Sequence, residues 1–260
     1  MRTAQARGFG VQLGVLRALL VREALMHYGH ENIGFFWVIL EPLMFTMGVS
    51  ILWLVSNRTH GSVATVPFIL TGYTLLTMFR HIVQRSNGIL RQNLGLRFHA
   101  VVKPLDIVIA RALLEALGCL GAFYVAYLPL TALGLMEPMR DPLLAMGAFG
   151  LGFWFCAACS LIMASLSETN EVVDRVLPVT MYLTLPLTGV FTMQSWLPAQ
   201  ARDILAWSPL VNIMEMFRAG MFSPDVVTMW DAWYVFWCCF AMTVVGLVMF
   251  DWVEKRVDMS

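Results

Sequence analysis

Apolar residues run along the chain in six long stretches: Phe35–Val55, Val66–Val83, Ile107–Leu135, Leu143–Leu166, Val176–Phe191 and Trp230–Phe250. A helix needs roughly 20 apolar residues to cross the hydrocarbon core of a bilayer, and charges inside these stretches are few. The pattern predicts an all-α polytopic membrane protein with six transmembrane helices. A further apolar segment, Val11–Met26, is interrupted by Arg17, Arg22 and Glu23. It lacks a small-residue cleavage site and reads as an amphipathic helix lying at the membrane surface, not as a signal peptide. The fifth stretch carries Pro178 and Pro186, so a kink is expected near Pro186.

Two segments between the spans are themselves patterned. The loop at 85–106 is basic and contains glycines, which suits either a short docking helix or an ordinary positively charged loop. Segment 193–228 holds a helix signal: Ser208 as cap, Pro209 in the first turn, then Leu210, Ile213, Met214, Phe217 and Met221 at helical spacing. Asn212, Glu215 and Arg218 fall on the other face, and Glu215 and Arg218 stand at i,i+3, where they can pair. Gly220 reads as a cap and Pro224 as a stop. Such a helix is too short to cross, so it is expected to be interfacial or re-entrant. The domain plan is a surface-helix segment at 1–33, a membrane domain at 34–252 and a tail at 253–260. The membrane domain includes a cytoplasmic segment at 86–105 and outer helices at 193–228.

Composition sharpens this picture. Of the 260 residues, 59% are hydrophobic and only 13% charged, too greasy for a soluble domain. Six spans take about half the chain, which leaves no room for a folded soluble domain of ~100 residues. Net charge is zero, but its distribution is lopsided. With both termini inside, Arg2, Arg7, Arg17, Arg22, Arg80, Arg85, Arg91, Arg97, Lys103, Arg111, Arg175, Lys255 and Arg256 are cytoplasmic, while Arg58, Arg140, Arg202 and Arg218 face out. Thirteen against four is the bias that puts basic loops in the cytoplasm. Trp230, Trp233, Tyr234 and Trp237 at one end of the last span, with Trp252 at the other, suit interfacial aromatic belts.

Candidate chemistry is sparse. There is no phosphate-binding G-x-x-x-x-G-K-[ST] loop, and Lys103 and Lys255 are the only lysines, so the chain does not cradle ATP in that way. No H-E-x-x-H or G-x-S-x-G motif occurs. The cysteines (Cys119, Cys156, Cys159, Cys238, Cys239) all fall within spans and read as small packing residues; no metal site is expected. Glu41, beside Pro42, and Glu115 are intramembrane carboxylates, either functional or paired structurally across helices. A proton- or sodium-coupled carrier needs more mid-membrane polar groups than these. A membrane enzyme acting on lipid-linked glycans needs convergent acid, base or metal ligands, which do not assemble here. The spans are rich in aromatics, which serve either lipid contact and packing or stacking on sugar rings.

REALMHYGHENIGFFWVILEP at 22–42 resembles the amino-terminal signature of ABC-2-type export permeases. VKPLDIVIARALLE at 102–115 and SPLVNIMEMFRAGMFSP at 208–224 are similar to the capsular polysaccharide export permeases of Gram-negative bacteria. The likeness runs through nearly the whole chain in order and spacing. One departure is His27, where the family often has arginine, so contacts of that arginine are not carried over.

The resemblance implies a half-transporter of the bacterial inner membrane, without an ATPase site or bound cofactor of its own. Two copies would form the pathway above two copies of a separate ATPase that binds ATP and Mg. The cargo implied is a lipid-linked acidic polysaccharide, handed to a periplasmic co-polymerase and an outer-membrane export protein. Another glycan (O-antigen or teichoic acid) or a small molecule is the near alternative, and no nucleic acid is implied. On this reading Arg22, Glu23, Tyr28, Gly29, Arg91, Leu94, Leu96, Arg97, Phe98, Lys103 and Asp106 are the ATPase-coupling residues. Trp37, Phe45, Tyr73, Phe79, Arg80, Arg85, Tyr182 and Phe191 are the expected substrate-pathway residues, and Glu215 with Arg218 the outer helix pair.

Overall fold

The structure is a computed structural model describing residues 2–28, 33–55, 64–93, 103–170 and 172–258. Its elements are α1 (Arg2–Tyr28), α2 (Ile33–Val55), α3 (Thr65–Arg85), α4 (Ile89–Gln92), α5 (Pro104–Ala132), α6 (Pro142–Thr169), α7 (Val172–Leu183), α8 (Ala199–Ala206), α9 (Pro209–Met221) and α10 (Ala232–Asp258). Two 3-10 turns, Leu185–Thr188 and Gln194–Trp196, lie between α7 and α8. No strand occurs among the described residues. The protein is an all-α polytopic membrane bundle. Helices α3, α5, α6 and α10 are long and apolar enough to cross a bilayer, and the 23 residues of α2 cover the first expected span.

The fifth apolar stretch does not form one helix of spanning length. α7 has 12 residues, a rise of about 18 Å, well short of the roughly 30 Å core. Pro178 is accommodated inside it. The break comes where Pro186 enters a 3-10 turn and Gly189 adopts φ 76°, a left-handed conformation that glycine reaches without steric cost. The expected kink is therefore a termination, and Val190–Met193 continues as non-helical chain. Pro42 has the opposite outcome, because α2 passes through it without ending.

α6 is the hub, with α10, α9 and α3 packed along it. Its start is capped by Asp141, whose carboxylate accepts from Leu144 N–H at 3.0 Å, with Pro142 in the first turn. The largest apolar cluster joins α3, α5, α6 and α9 through side chains such as Leu75, Met78, Phe123, Ala148, Ile213 and Phe217. A second, at the α4 end, joins Leu19 of α1, Ile89 and Leu90 of α4, Ile107 and Val108 of α5, Leu161 and Ala164 of α6 and Phe250 and Val253 of α10. α10 turns Trp237, Phe240, Val244 and Val248 outward, as a lipid-facing helix does.

α9 begins as its sequence predicts, with Ser208 as cap and Pro209 in the first turn. It is not an amphipathic surface helix, however: Leu210 through Arg218 are all buried, the polar face included. Nor is Gly220 the cap, since the helix runs on to Met221. A Cβ at Gly220 would stand 2.6 Å from the Ala145 backbone nitrogen, so this glycine lets α9 lie directly on α6. Gly220→Ala is therefore expected to cost about 1–3 kcal/mol through overpacking against an unyielding backbone. The measure is a lowered thermal midpoint in detergent, with an unchanged midpoint refuting the close-packing role.

Candidate functional site

Two groups of buried charges lie at opposite ends of the bundle. The first surrounds α4. Helix α5 places Val108, Arg111, Glu115, Cys119 and Ala122 on one buried face at three- and four-residue spacing. Arg111 meets Glu23 of α1 at 2.8 Å (Nε to Oε2), and its Nη1 donates to Arg85 O at 2.9 Å. Glu23 is 2% exposed and also pairs with Arg22, which donates to Asn93 Oδ1 at 3.0 Å. Asn93 in turn donates to Ile89 O, closing a link from α1 to the end of α4. Near the start of α5, Asp106 accepts from Lys103 N–H and from Gln12 Nε2 at 2.6 Å.

One turn further along α5, Glu115 reaches α3. It pairs with Arg85 and with His81 Nδ1, the latter at 3.2 Å. Arg85 and His81 also meet Glu41 of α2, at 3.2 and 3.5 Å. Four ionisable side chains thus tie α2, α3 and α5 together. Three of them, Glu41, His81 and Arg85, line a cavity of about 590 Å³ together with Met44, Thr77, Arg80 and Gln84. The guanidinium of Arg80 lies 4.8 Å from the ring centre of Tyr182 on α7.

On its other side α4 is clasped to the α6–α7 turn. Arg91 Nη2 donates to Ser167 O at 2.7 Å and to Asp174 Oδ2 at 2.9 Å, and Arg91 N–H donates to Glu168 Oε1 at 3.0 Å. Gly88 N–H donates to the buried Ser167 hydroxyl at 3.0 Å. A four-residue helix has no stability of its own. Here Ile89 and Leu90 are buried, and side chains from α1 and the α6–α7 turn hold its flanks.

The second group lies at the opposite end, on α9. Arg218 and Glu215 are each 1% exposed, with Arg218 Nη1 4.0 Å from Glu215 Oε1. Arg218 donates to Gly189 O, Thr192 O and Val190 O at 3.0–3.2 Å and lies 4.1 Å over the Phe68 ring. Those carbonyls belong to the chain freed where α7 and its 3-10 turn end. Gly72 on α3 makes the room, since a Cβ there would meet Arg218 Nη2 at 3.0 Å. Glu215 accepts from Gln194 N–H and Met229 N–H, both at 3.1 Å. Burial pushes the Glu215 carboxyl above the usual carboxylate range, opposed by Arg218 and these two amides. Burial likewise pulls the Arg218 guanidinium down, opposed by Glu215.

Several candidate residues occupy positions the sequence did not specify. Arg85 is committed to Glu115 and Glu41, so its charge is spent within the bundle. Arg91 is committed to acids of its own chain. Tyr73 is buried with its ring edge-on to Phe191, 6.3 Å between centres, and Phe79 stacks on Phe155. Tyr182 is exposed, and Lys103 is an exposed N-cap. Gly29, Leu94, Leu96, Arg97 and Phe98 lie outside the described residues, as do the side chains of Tyr28, Trp37 and Phe45. Sequence reasoning did not single out Asn93, Glu168 or Asp174, and it counted Arg111 only as a cytoplasmic charge. For Arg111 a signal existed: it stands one turn before Glu115 within an otherwise apolar helix. The cysteines are free, and no cluster able to hold a metal occurs among the described residues.

Comparison with known proteins gives a consistent result. Residues 14–222 match the ABC-2 type transporter family. The chain is 32% identical over 259 residues to the capsule polysaccharide export inner-membrane protein CtrC of Neisseria meningitidis serogroup B, covering 99% of this chain and 97% of that one. It is 31% identical over 258 residues to the corresponding protein BexB of Haemophilus influenzae, with the same coverage. It is 30% identical over 217 residues to the polysialic acid transport protein KpsM of Escherichia coli, covering 82% of this chain and 83% of that one.

Glu115 is 2% exposed and joins α5 to α3. Glu115→Ala leaves Arg85 and His81 only the part-exposed Glu41 as partner and is expected to cost about 3 kcal/mol, the low end for a broken buried ion pair. Glu115→Gln keeps the shape and is expected to cost less. Urea unfolding of the purified protein in detergent measures both, and equal, negligible losses would refute the cross-brace.

Proposed function

Because the chain belongs to the ABC-2 type transporter family, we propose that it is the transmembrane subunit of an ATP-driven exporter carrying lipid-linked capsular polysaccharide outward across the bacterial inner membrane. The names of its relatives support that cargo and that membrane. The α4 end is cytoplasmic, with both termini on that side, and α9 faces the periplasm. Two copies of the chain form the pathway, and two copies of a separate ATPase bind ATP and Mg beneath them. No cofactor is held by this chain.

The observation that carries the mechanism is the double anchoring of α4. ATP binding closes the ATPase pair against α1 and the 86–105 segment, to which the coupling residues Leu94, Leu96, Arg97, Phe98 and Lys103 belong. The displacement of α4 then divides along two links. One runs through Asn93, Arg22, Glu23 and Arg111 to α1 and α5. The other runs through Arg91 to the turn that begins α7, the broken fifth span. Charged links of this kind have discrete, packed arrangements, as a two-state element must. Moving α7 against α3 opens the pathway along aromatic side chains including Tyr73, Phe79, Tyr182 and Phe191. The product passes to periplasmic and outer-membrane export proteins.

The Arg91 clasp supplies the test. Arg91→Asp and Asp174→Arg are each expected to lower capsule exported per ATP hydrolysed by tenfold or more in reconstituted vesicles, with hydrolysis maintained. Combining them is expected to regain part of the loss, because the ion pair returns in reversed sense. Full export by either single variant would sink the coupling role of this link.

A further inference from the structure

The charge cluster that joins α2, α3 and α5 contains a histidine, the side-chain type whose charge changes nearest neutral pH. His81 turns both ring nitrogens toward carboxylates. Its Nδ1 stands 3.2 Å from Glu115 Oε2, and its Nε2 stands 3.5 Å from Glu41 Oε1. An ionised carboxylate only accepts, so each contact needs an N–H on the ring side. A neutral imidazole has one N–H and one lone pair, whereas the imidazolium has two N–H groups. Both contacts are attractive at once only for the imidazolium. Charge balance gives the same answer. Glu41 and Glu115 are matched by Arg85 and a protonated His81, and Arg85 alone leaves one negative charge over.

The two acids differ in what they can do when the proton leaves. The Glu115 side chain is 2% exposed, so its oxygens have to be met within the protein. The Glu41 side chain is 40% exposed and can turn to water instead. The remaining ring proton therefore stays on Nδ1, toward Glu115, and the Nε2 lone pair faces the Glu41 carboxylate, which repels it. The other ionisable groups beside the ring do not replace the lost contact. Arg85, one turn along α3, already bonds both acids. Arg80, the preceding residue, has its guanidinium over the Tyr182 ring of α7, and Cys119 of α5 is a buried thiol. Arg85 keeps its own tie to Glu41 at 3.2 Å, so α2 is loosened, not cast off.

We propose that His81 is a proton-sensitive latch between helices. As the imidazolium it holds α2 against α3 and α5 through Glu41 and Glu115, and on losing its proton it keeps Glu115 and lets Glu41 go. The stabilisation is present at low pH and is lost as pH rises, the sense that follows when a histidine gains acidic partners on folding. The side of the cavity lined by Glu41, His81 and Arg85 is what loosens. The latch concerns how α2 is held and does not depend on what the subunit carries.

The test measures thermal midpoints of the purified full-length chain in nanodiscs from about pH 5 to about pH 9, a span that brackets the charge change of histidine. Across it the wild type is expected to lose several degrees more than His81→Gln. That variant cannot charge, so the comparison removes the contribution of His27, His30, His60 and His99. Glu41→Gln, whose amide can meet either state of the ring, is expected to abolish most of the His81-dependent slope. Placed on top of His81→Gln it is expected to change the slope no further. Nitrogen NMR of histidine-labelled protein reads the ring itself, with the His81 signal assigned by its loss in His81→Gln or its shift in Glu41→Gln. It is expected to show two protonated nitrogens at the acid end and a bare Nε2 at the alkaline end. A His81 ring whose protonation does not change across the span overturns the latch, and so does a Glu41→Gln variant that keeps the full slope. Should His81→Gln fail to fold, the slope of Glu41→Gln against the wild type and the NMR titration still decide.

Discussion

A charge buried among apolar helices has to be answered by a charge or a dipole from somewhere else in the fold, and in this bundle the answer comes from another helix or from the chain between helices. Glu115 on α5 is met from α3, Glu23 on α1 from α5, and Arg218 on α9 from the backbone beyond α7. Lipid-like surroundings supply little hydrophobic drive for one helix to prefer another. Polar pairs with a single workable geometry therefore set which helices are neighbours and at what register. Close packing such as that of Gly220 on Ala145 completes the arrangement.

The same requirement explains the broken fifth span. A chain that stops being helical at membrane depth releases carbonyls that must be bonded within the protein. Arg218 supplies that with one side chain, donating to Gly189, Val190 and Thr192. Glu215 treats the amides of Gln194 and Met229 similarly, gathering the chain before α8 and the chain before α10 onto α9. α9 is thus less a surface helix than a core on which the loops beside it are built. Its polar face is as buried as its apolar one because the loops, not water, are its solvent.

Much of this was legible in the sequence, for reasons particular to each element. The spans show because lipid demands long uninterrupted apolar runs, and the Ser208–Pro209 start of α9 shows because capping is local chemistry. The aromatic start of α10 stands out in the sequence, and Trp233 and Trp237 are exposed. The burial of α9 did not show. An amphipathic pattern reports that two faces differ, not that the polar one meets water. Likewise Arg91 reads from composition as a loop cation, because nothing local places Asp174, 83 residues away, within 2.9 Å of it. Arg80 and Arg85 look equivalent in sequence and differ only through the carboxylates that α2 and α5 bring to one of them.

That division of labour bears on how the bundle keeps its helices in register. A bundle in which every charge were satisfied internally would be braced but would offer cargo nothing to recognise. One in which the charges all faced the cavity would lack the ties that hold its helices in register. At the α4 end neighbouring turns of α3 carry arginines in these two different settings. Arg85, deeper in the acid cluster, joins α2 and α5, while Arg80 rests on the ring of Tyr182, a residue of the helix whose base Arg91 holds. Tyr182 beside Arg80 and Asp174 beside Arg91 thus share one short helix, whereas Arg85 ties α3 to α2 and α5. The short α7 is thus tied to α4 near its base and touches α3 near its far end.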